Sequence, residues 1–331
     1  MTTEKTSQDA TQILAQQASY LISVAARAPS VHNTQPWLFS VAADAIELHG
    51  DRDRRLGVDP AGREMLISCG AALFGLRLAV RSLGYLPVVD LLPEPGRPLL
   101  LARVRLGAEL PLTPIERKLL EAVPHRHTHR GPFQPGPLPA GLLPGLQHDA
   151  AAEHATLALV DTQLAYRKLA DVMARSKRWQ DAGRMAQADV RRWSRSAGSR
   201  ARDGVPARAF AADSGPEAGR LPQRDFDMGR GIRLLTGAGA PPEVTAALLT
   251  RGDGPADWLR AGQALHRVLL HAASRWVFAS LYTQPLEAPA IRRLIKTRLA
   301  LPGAPQMLLQ LGVARTTRAT ARRPANELID P

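Results

Sequence analysis

Apolar residues recur at helical spacing from Ser7 to Arg27 (Ile13, Leu14, Ala18, Leu21, Ile22, Ala25) and predict a first helix. Two short alternating runs, Trp37 to Val41 and Ala45 to His49, predict a hairpin turning at Ala43-Asp44. After a polar loop, Asp51 to Pro60, a second strong helix is predicted over Ala61 to Leu83, with Met65, Leu66, Cys69, Leu73, Leu76 and Val80 on one face. Gly70 and Gly75 inside it lower helix propensity and permit close approach of a neighbour. Leu86 to Leu92 and Leu99 to Leu106 read as strands joined by the proline-rich link Pro93 to Pro98. Thr113 to Glu121 reads as a helix: Thr113 can cap it, Pro114 suits its first position and Glu116 completes a capping box.

Beyond this point the pattern is less even. Pro135 to Pro144 reads as a link, Ala155 to Val160 as a strand, and Thr162 to Ser196 as mostly helical with a break near Gly183. Gly198 to Arg224 has little periodicity, is rich in Gly, Pro, Arg and Asp, and carries the turn signal Asp203-Gly204-Val205-Pro206. Such a stretch within a compact chain is a functional lid or is disordered. Val244 to Thr250 reads as a strand, and Ala256 to Ala273 as a helix with Trp258, Leu259, Leu265, Val268 and Leu269 inward. Ala279 to Glu287 leads through Tyr282-Thr283-Gln284-Pro285-Leu286-Glu287 into a helix over Ala288 to Ala300, and Pro305 to Val313 reads as a strand, the last regular element.

Composition narrows the options. At 331 residues there is room for two domains or one large one, and 45% apolar with 22% charged residues is ordinary for a soluble globular chain. The single cysteine, Cys69, excludes an intrachain disulfide and reads as a buried inert thiol on a helix face; a cytoplasmic setting is expected. Met1 to Asp9 lacks the apolar core of a signal peptide, and no apolar run reads as long enough to span a bilayer. The net charge of +13 invites a nucleic-acid partner. Only five of the 43 basic residues are lysine, however, and the arginines are spread along the chain, so compositional bias explains the charge and no nucleic acid is expected. A basic surface can still draw in a phosphorylated cofactor.

Two stretches carry candidate chemistry. In Ala28-Pro29-Ser30-Val31-His32-Asn33-Thr34-Gln35-Pro36-Trp37, two prolines bracket a polar run, and Thr34 to Gln35 is expected to be extended ahead of Pro36. The loop can present Ser30, Asn33 and Gln35 to a flat polar ligand, or it can be an ordinary helix-to-strand turn. In Pro124 to Phe133, alternation in an extended segment puts His125, His127 and His129 on one side and Arg126, Thr128 and Arg130 on the other. The histidines lack nearby acidic or Cys partners, so no metal is expected. The two guanidinium forks around a hydroxyl suit a phosphate monoester, or they belong to a solvated basic loop. No full Gly-x-Gly-x-x-Gly follows a strand (Gly229-Arg230-Gly231 and Gly237-Ala238-Gly239 are partial), and there is no Walker loop, Gly-x-Ser-x-Gly or convincing nucleophile–base pair.

Ala-Pro-Ser-x-x-Asn-x-Gln-Pro-Trp resembles the first signature of the nitroreductase superfamily of FMN-dependent oxidoreductases, and the variant with His32 before Asn33 is similar to its Acg-type branch, in which two nitroreductase-like halves are fused. Arg126-x-Thr128-x-Arg130 resembles that family's Arg-x-Ser-x-Arg, which grips the FMN phosphate and ribityl chain. Gln284-Pro285-Leu286-Glu287 is similar to the segment lying along the flavin ring, and Arg322-Arg323-Pro324 to the C-terminal basic pair.

The resemblance implies an α+β fold of two related halves, 1–110 and 111–331, each with a mostly antiparallel sheet covered by helices and packed as an intrachain pseudo-dimer. It implies one FMN site between them, formed by Pro29, Ser30, Asn33, Gln35, Arg126, Thr128, Arg130, Pro285, Leu286, Glu287 and Arg322 or Arg323, with a lid at 198–224. The protein residues position the flavin, which carries the chemistry. The implied activity is hydride transfer through flavin N5 from NAD(P)H to a small acceptor. The alternative is a flavin-storing or redox-sensing protein with a covered FMN and little turnover. The chain is expected as a monomer, its halves forming the pseudo-dimer, or as a homodimer.

Overall fold

The computed structural model describes residues 2–42, 44–131, 133–181, 183–209, 221, 224–226, 244–314 and 320–329. The N-terminal half runs α1 (Thr2–Ala25), β1 (Trp37–Val41), β2 (Ala45–Gly50), α2 (Arg63–Ser82), β3 (Tyr85–Leu91) and β4 (Leu100–Glu109). Its four strands form an antiparallel sheet in the order β1-β2-β4-β3.

The C-terminal half begins with α3 (Pro114–Ala122), α4 (Leu142–Ala152), β5 (Ala155–Leu159), α5 (Gln163–Asp181) and α6 (Arg184–Trp193). A two-residue pair follows, β6 (Ser194–Arg195) with β7 (Val205–Pro206). Then come β8 (Val244–Thr250), α7 (Pro255–Ser274), β9 (Val277–Tyr282), α8 (Gln284–Glu287), α9 (Pro289–Arg298) and β10 (Ala304–Val313). Its sheet is also antiparallel, in the order β5-β8-β10-β9.

The two sheets share one plan: first strand, second, fourth, third. In each, a 20-residue helix (α2 or α7) connects the second strand to the third. These two helices pack on each other, and the contact is reciprocal. Gly70 is the eighth residue of α2 and Gly262 the eighth of α7. A Cβ at Gly70 would lie 2.2 Å from the carbonyl oxygen of Leu259, and one at Gly262 2.0 Å from that of Ile67. Leu259 and Ile67 are each the fifth residue of their helix. Equivalent positions thus meet as they do across the two-fold axis of a homodimer. Burial follows the same exchange: Leu259, Leu270 and Phe278 join the N-terminal core, while Ile67 joins the C-terminal one.

A second strap runs the other way. The Phe39 N–H donates to Leu328 O at 2.7 Å, and Phe39 forms a parallel bridge with Ile329. The C-terminal tail therefore lies along the free edge of the N-terminal sheet, satisfying an edge that would otherwise be exposed.

Most predicted elements appear within a few residues of their expected ends, and the α3 capping box makes both bonds: Glu116 N–H to Thr113 Oγ1 at 3.3 Å and Thr113 N–H to Glu116 Oε2 at 2.8 Å. Some readings need correction. The Pro135–Pro144 link runs into α4, whose third residue is Pro144; proline is tolerated there because first-turn N–H groups have no intrahelical acceptor. The run before Gln284 is a full strand, β9, paired along β10. By length and composition α2 passes the test for a bilayer span, with a mean hydropathy of 1.4, but 89% of that window is buried in protein. Thr34 and Gln35 are not extended: Thr34 is right-handed helical (φ −65°, ψ −28°) and Gln35 has φ 51°.

The α2–α7 contact generates a prediction. Gly262→Val should lower unfolding free energy by about 3 kcal/mol or more in urea denaturation, because the new side chain meets backbone that cannot yield. Gly96→Ala, whose Cβ meets nothing within 4 Å, is the control and should shift it by less than about 0.5 kcal/mol.

Candidate functional site between the halves

The chain leaves α1 through Ala28-Pro29 into a tight turn. His32 (φ 48°), Asn33 (φ 56°) and Gln35 (φ 51°) all occupy the left-handed region, which costs free energy in non-glycine residues. Local bonds hold the turn. Asn33 N–H donates to Ser30 O at 3.0 Å, Thr34 N–H to Val31 O at 3.0 Å, and Gln35 N–H to Ser30 Oγ at 3.0 Å.

Asn33 and Gln35 do not line the cleft beside this turn. The Asn33 amide nitrogen donates to Gly204 O at 3.0 Å and to Ala321 O at 3.1 Å. Gln35 Nε2 donates to Arg202 O at 2.8 Å, while Gln35 Oε1 accepts from Arg323 N–H at 2.8 Å. Both side chains therefore tie two segments of the C-terminal half, 202–204 and 321–323, to the N-terminal turn. Asp203 completes the strap through Arg54 (2.9 Å) and Arg195 (2.8 Å), and Asp189 accepts from the Gly57 and Val58 amides at 2.9 and 3.0 Å.

The cleft lies between the halves and encloses about 810 Å³ of empty space, its open mouth included. Pro29 to His32, Glu64, Ile67 and Ser68 supply one wall. Thr128 to Arg130, Leu265, Ser280 to Gln284 and Met307 supply the other, and Arg224 and Phe226 close one side. Of the expected lid, 198–209, Leu221 and Arg224 are described; 210–220, 222 and 223 lie outside the described residues, as do both partial glycine repeats, 229–231 and 237–239.

His125 and Arg126 still donate their N–H groups to Ala122 O in the turn after α3, and residues 127–130 then run along the edge of β9. Thr128 bridges Ala279, His129 N–H donates to Ala279 O at 2.8 Å, and Ser280 Oγ donates to His129 O at 2.9 Å. The expected alternation separates two environments. The histidines pack on aromatic rings: His125 on Trp276, His127 on Phe278 (4.4 Å) and His129 on Phe133 (4.7 Å). Among the described residues no group of three His, Cys, Asp or Glu is placed to hold a metal.

The basic row converges with the tail. Arg126 Nη2 donates to Arg27 O at 2.5 Å and Arg322 Nη2 to Ala28 O at 3.1 Å, so both guanidinium groups sit on the carbonyls just past α1. Burial, with Arg27 nearby, pulls the Arg126 pKa down to about 10, and burial does the same for Arg130. Arg322 is depressed further, by burial and then by the charges of Arg126, Arg27 and Arg130. Among the described residues none of the three forms an ion pair, and Arg126 Nε and Arg322 Nε are buried without a hydrogen-bond partner. Buried cations lacking a counter-charge are unfavourable, so this cluster is suited to an anion. Arg323 is elsewhere: its side chain turns to Glu327, with Nη2 on Glu327 O at 2.5 Å.

The segment expected to border a ring is displaced by a few residues. Tyr282, Thr283 and Gln284 face the cleft. Leu286 is buried in a separate core with Leu169 and Ile295, and Pro285 is buried beside it. Glu287 pairs with Arg224 and faces a second, mostly apolar cavity, which by the same measure encloses about 1430 Å³ and is lined also by Val58, Met185, Trp258 and Pro289. Glu64 touches both cavities and is paired with Arg63.

Several of these carboxyls are pushed up. Asp59 rises to about 7 by burial and then the charge of Glu64; Glu287 rises to about 7 by burial despite Arg224; burial raises Glu64 as well. Arg224, the last residue of the expected lid, lines the cleft, whereas His32, Glu64, Ser68 and Phe226 were not expected there. Only the His32 position stood out in the sequence, and nothing local marks the others.

The fold is an α+β pseudo-dimer with a cleft between its halves; Arg130 lines the cleft, while the guanidinium groups of Arg126 and Arg322 sit on the Arg27 and Ala28 carbonyls. No protein-family model matches the chain. "Putative NAD(P)H nitroreductase Rv3131" of Mycobacterium tuberculosis (strain ATCC 25618 / H37Rv) is 33% identical over 89% of this chain and 84% of that protein. "Putative NAD(P)H nitroreductase acg" of the same strain is 28% identical over 93% of each. The chain therefore belongs to the nitroreductase superfamily. Among solved structures, a nitroreductase with bound FMN from Desulfitobacterium hafniense DCB-2 aligns at TM-score 0.41 and 14% identity, over 65% of this chain and 97% of that one.

The raised Asp59 pKa yields a test. A carboxyl whose pKa is higher folded than unfolded supports the fold most fully below its unfolded value, and that contribution is lost as pH rises through about 7. Asp59→Asn can keep the acceptor that receives Met65 N–H at 3.0 Å but cannot ionise. Its stability relative to wild type should rise steadily from pH 5 to pH 8, measured by urea denaturation at each pH.

Proposed function

We infer that the cleft holds FMN and that the protein is an FMN-dependent oxidoreductase of nitroreductase type. The carrying observation is the convergence of Arg126, Arg130 and Arg322, from distant parts of the chain, with no ion-pair partner among the described residues. A phosphate monoester supplies the missing charge and acceptors for the orphaned Arg126 and Arg322 Nε–H groups. The residues present thus fit the cofactor's anionic end.

In this reading Arg126, Arg130 and Arg322 hold the phosphate, and Thr128 bonds a phosphate or ribityl oxygen. Pro29, Ser30 and the Ser280–Gln284 wall border the ring. Asn33, Gln35 and Arg323 hold the strap that fixes this wall, and Pro285, Leu286 and Glu287 support it from behind. Arg224 and Phe226 cover one side and exclude water. Bound FMN supplies two-electron chemistry at N5 between NAD(P)H and a small acceptor. The reductant follows the two relatives, each named a "Putative NAD(P)H nitroreductase". Residues 1–110 and 111–331 are the two halves of one site, so a single chain suffices for binding.

A second reading keeps the site and removes the turnover: a flavin store or redox sensor. The 202–204 strap and the covering pair Arg224 and Phe226 favour it.

The double variant Arg126→Ala/Arg322→Ala should weaken FMN binding about a hundredfold or more, read from quenching of FMN fluorescence. Full flavin retention would remove the phosphate assignment. Anaerobic addition of NADPH to the wild-type holoprotein separates the two readings: bleaching of the flavin absorbance supports the reductase, and a persistent oxidised spectrum supports storage.

A further inference from the structure

His32 is a histidine on the cleft wall, 6% exposed, and neither ring nitrogen has a hydrogen-bond partner among the described residues. Few buried polar side chains are left in that state, because an unmet buried donor or acceptor forfeits the hydrogen bond it had in water. The backbone holds it there under strain, at φ 48° and ψ 19°, within a turn fixed by Ser30. Phe226 packs edge-on against the ring, with centroids 5.2 Å apart, and Arg130 lies over Phe226 at 5.9 Å. The ring therefore cannot swing out to water without breaking this stack.

Burial and the charges of Arg224 and Arg130 keep the imidazole neutral, with a pKa well below the usual histidine value. A neutral imidazole offers one N–H donor and one acceptor and no charge. The anionic end of any ligand is already served elsewhere, by the guanidinium groups on the Arg27 and Ala28 carbonyls. What His32 is equipped to meet is an uncharged oxygen at the rim of a flat ring.

We propose that His32 is a ligand-contacting residue of the cleft that donates a hydrogen bond to a carbonyl oxygen on a flat conjugated ring. This inference rests on the reading of the cleft as an FMN site. Two molecules could bring such an oxygen, the flavin ring itself or a quinone-type electron acceptor, and the experiment separates them.

The test uses His32→Phe, which keeps the ring and the edge-on contact but removes both nitrogens, and His32→Gln, which restores an amide donor. Two quantities are measured on full-length protein: the FMN dissociation constant by fluorescence quenching, and the menadione dissociation constant from saturation of the reoxidation rate of photoreduced holoprotein in a stopped-flow instrument. In His32→Phe one of these should weaken about tenfold, the loss of one hydrogen bond to a buried donor, and His32→Gln should recover part of it. Weakened FMN binding assigns the bond to the cofactor. Weakened menadione binding at unchanged FMN affinity assigns it to the acceptor. If both constants stay within twofold of wild type in a His32→Phe protein with native circular dichroism, the proposal is overturned. Wild-type protein that binds no FMN would instead remove the functional reading, which keeps the two failures distinct.

Discussion

The contact of α2 with α7 through Gly70 and Gly262 is the constraint on which the rest of the molecule depends. With any side chain at either position, the two helices could not bring Leu259 O and Ile67 O so close. That distance sets how far apart the halves sit, and the cleft is the space left beside the helix pair. Glu64, Ile67 and Ser68 on α2, and Leu265 on α7, form part of its lining. The contact is reciprocal, position eight against position five in both directions, as equivalent positions meet across a two-fold axis.

The symmetry is then broken deliberately. Only the N-terminal half has the Ser30–Gln35 turn, and only the C-terminal half has the 126–130 segment and the tail with Arg322. Their surroundings differ: Arg126 and Arg322 sit on the Arg27 and Ala28 carbonyls, while His32 packs edge-on against Phe226 with Arg130 and Arg224 close by.

Polar side chains around the cleft divide into those that hold the frame and those left open. Gln35, Asp189, Asp203 and the amide nitrogen of Asn33 spend their hydrogen bonds on backbone groups or ion pairs that bind C-terminal segments to the N-terminal half, although Asn33 Oδ1 has no partner among the described residues. Arg126 donates to Arg27 O, and Arg322 to Ala28 O and to Thr320 and Ala321, yet both retain buried Nε–H groups without acceptors among the described residues. The first group fixes geometry, and the second is where ligand chemistry is expected.

Much of this was legible in the sequence because it depends on local pattern. The 3.6-residue period of α1, α2 and α7, the Thr113–Glu116 capping box, the hairpin of β1 and β2, and the alternation of 127–130 follow from residues near one another in the chain. Proximity in space did not follow. Position 322 reaches Ala28 and position 204 reaches Asn33 only because the halves close on the two glycines. The α4 helix was hidden by a proline that first-turn geometry tolerates. The sequence by itself determined which segments are helical or extended and which residues are rich in donors. The tertiary structure decided that Arg322 rather than Arg323 joins Arg126, that Asn33 and Gln35 clamp a strap, and that His32 faces the cleft with neither ring nitrogen bonded among the described residues. The reason is that hydrogen bonds and buried charges are satisfied, or left open, by partners whose distance in sequence carries no local signal.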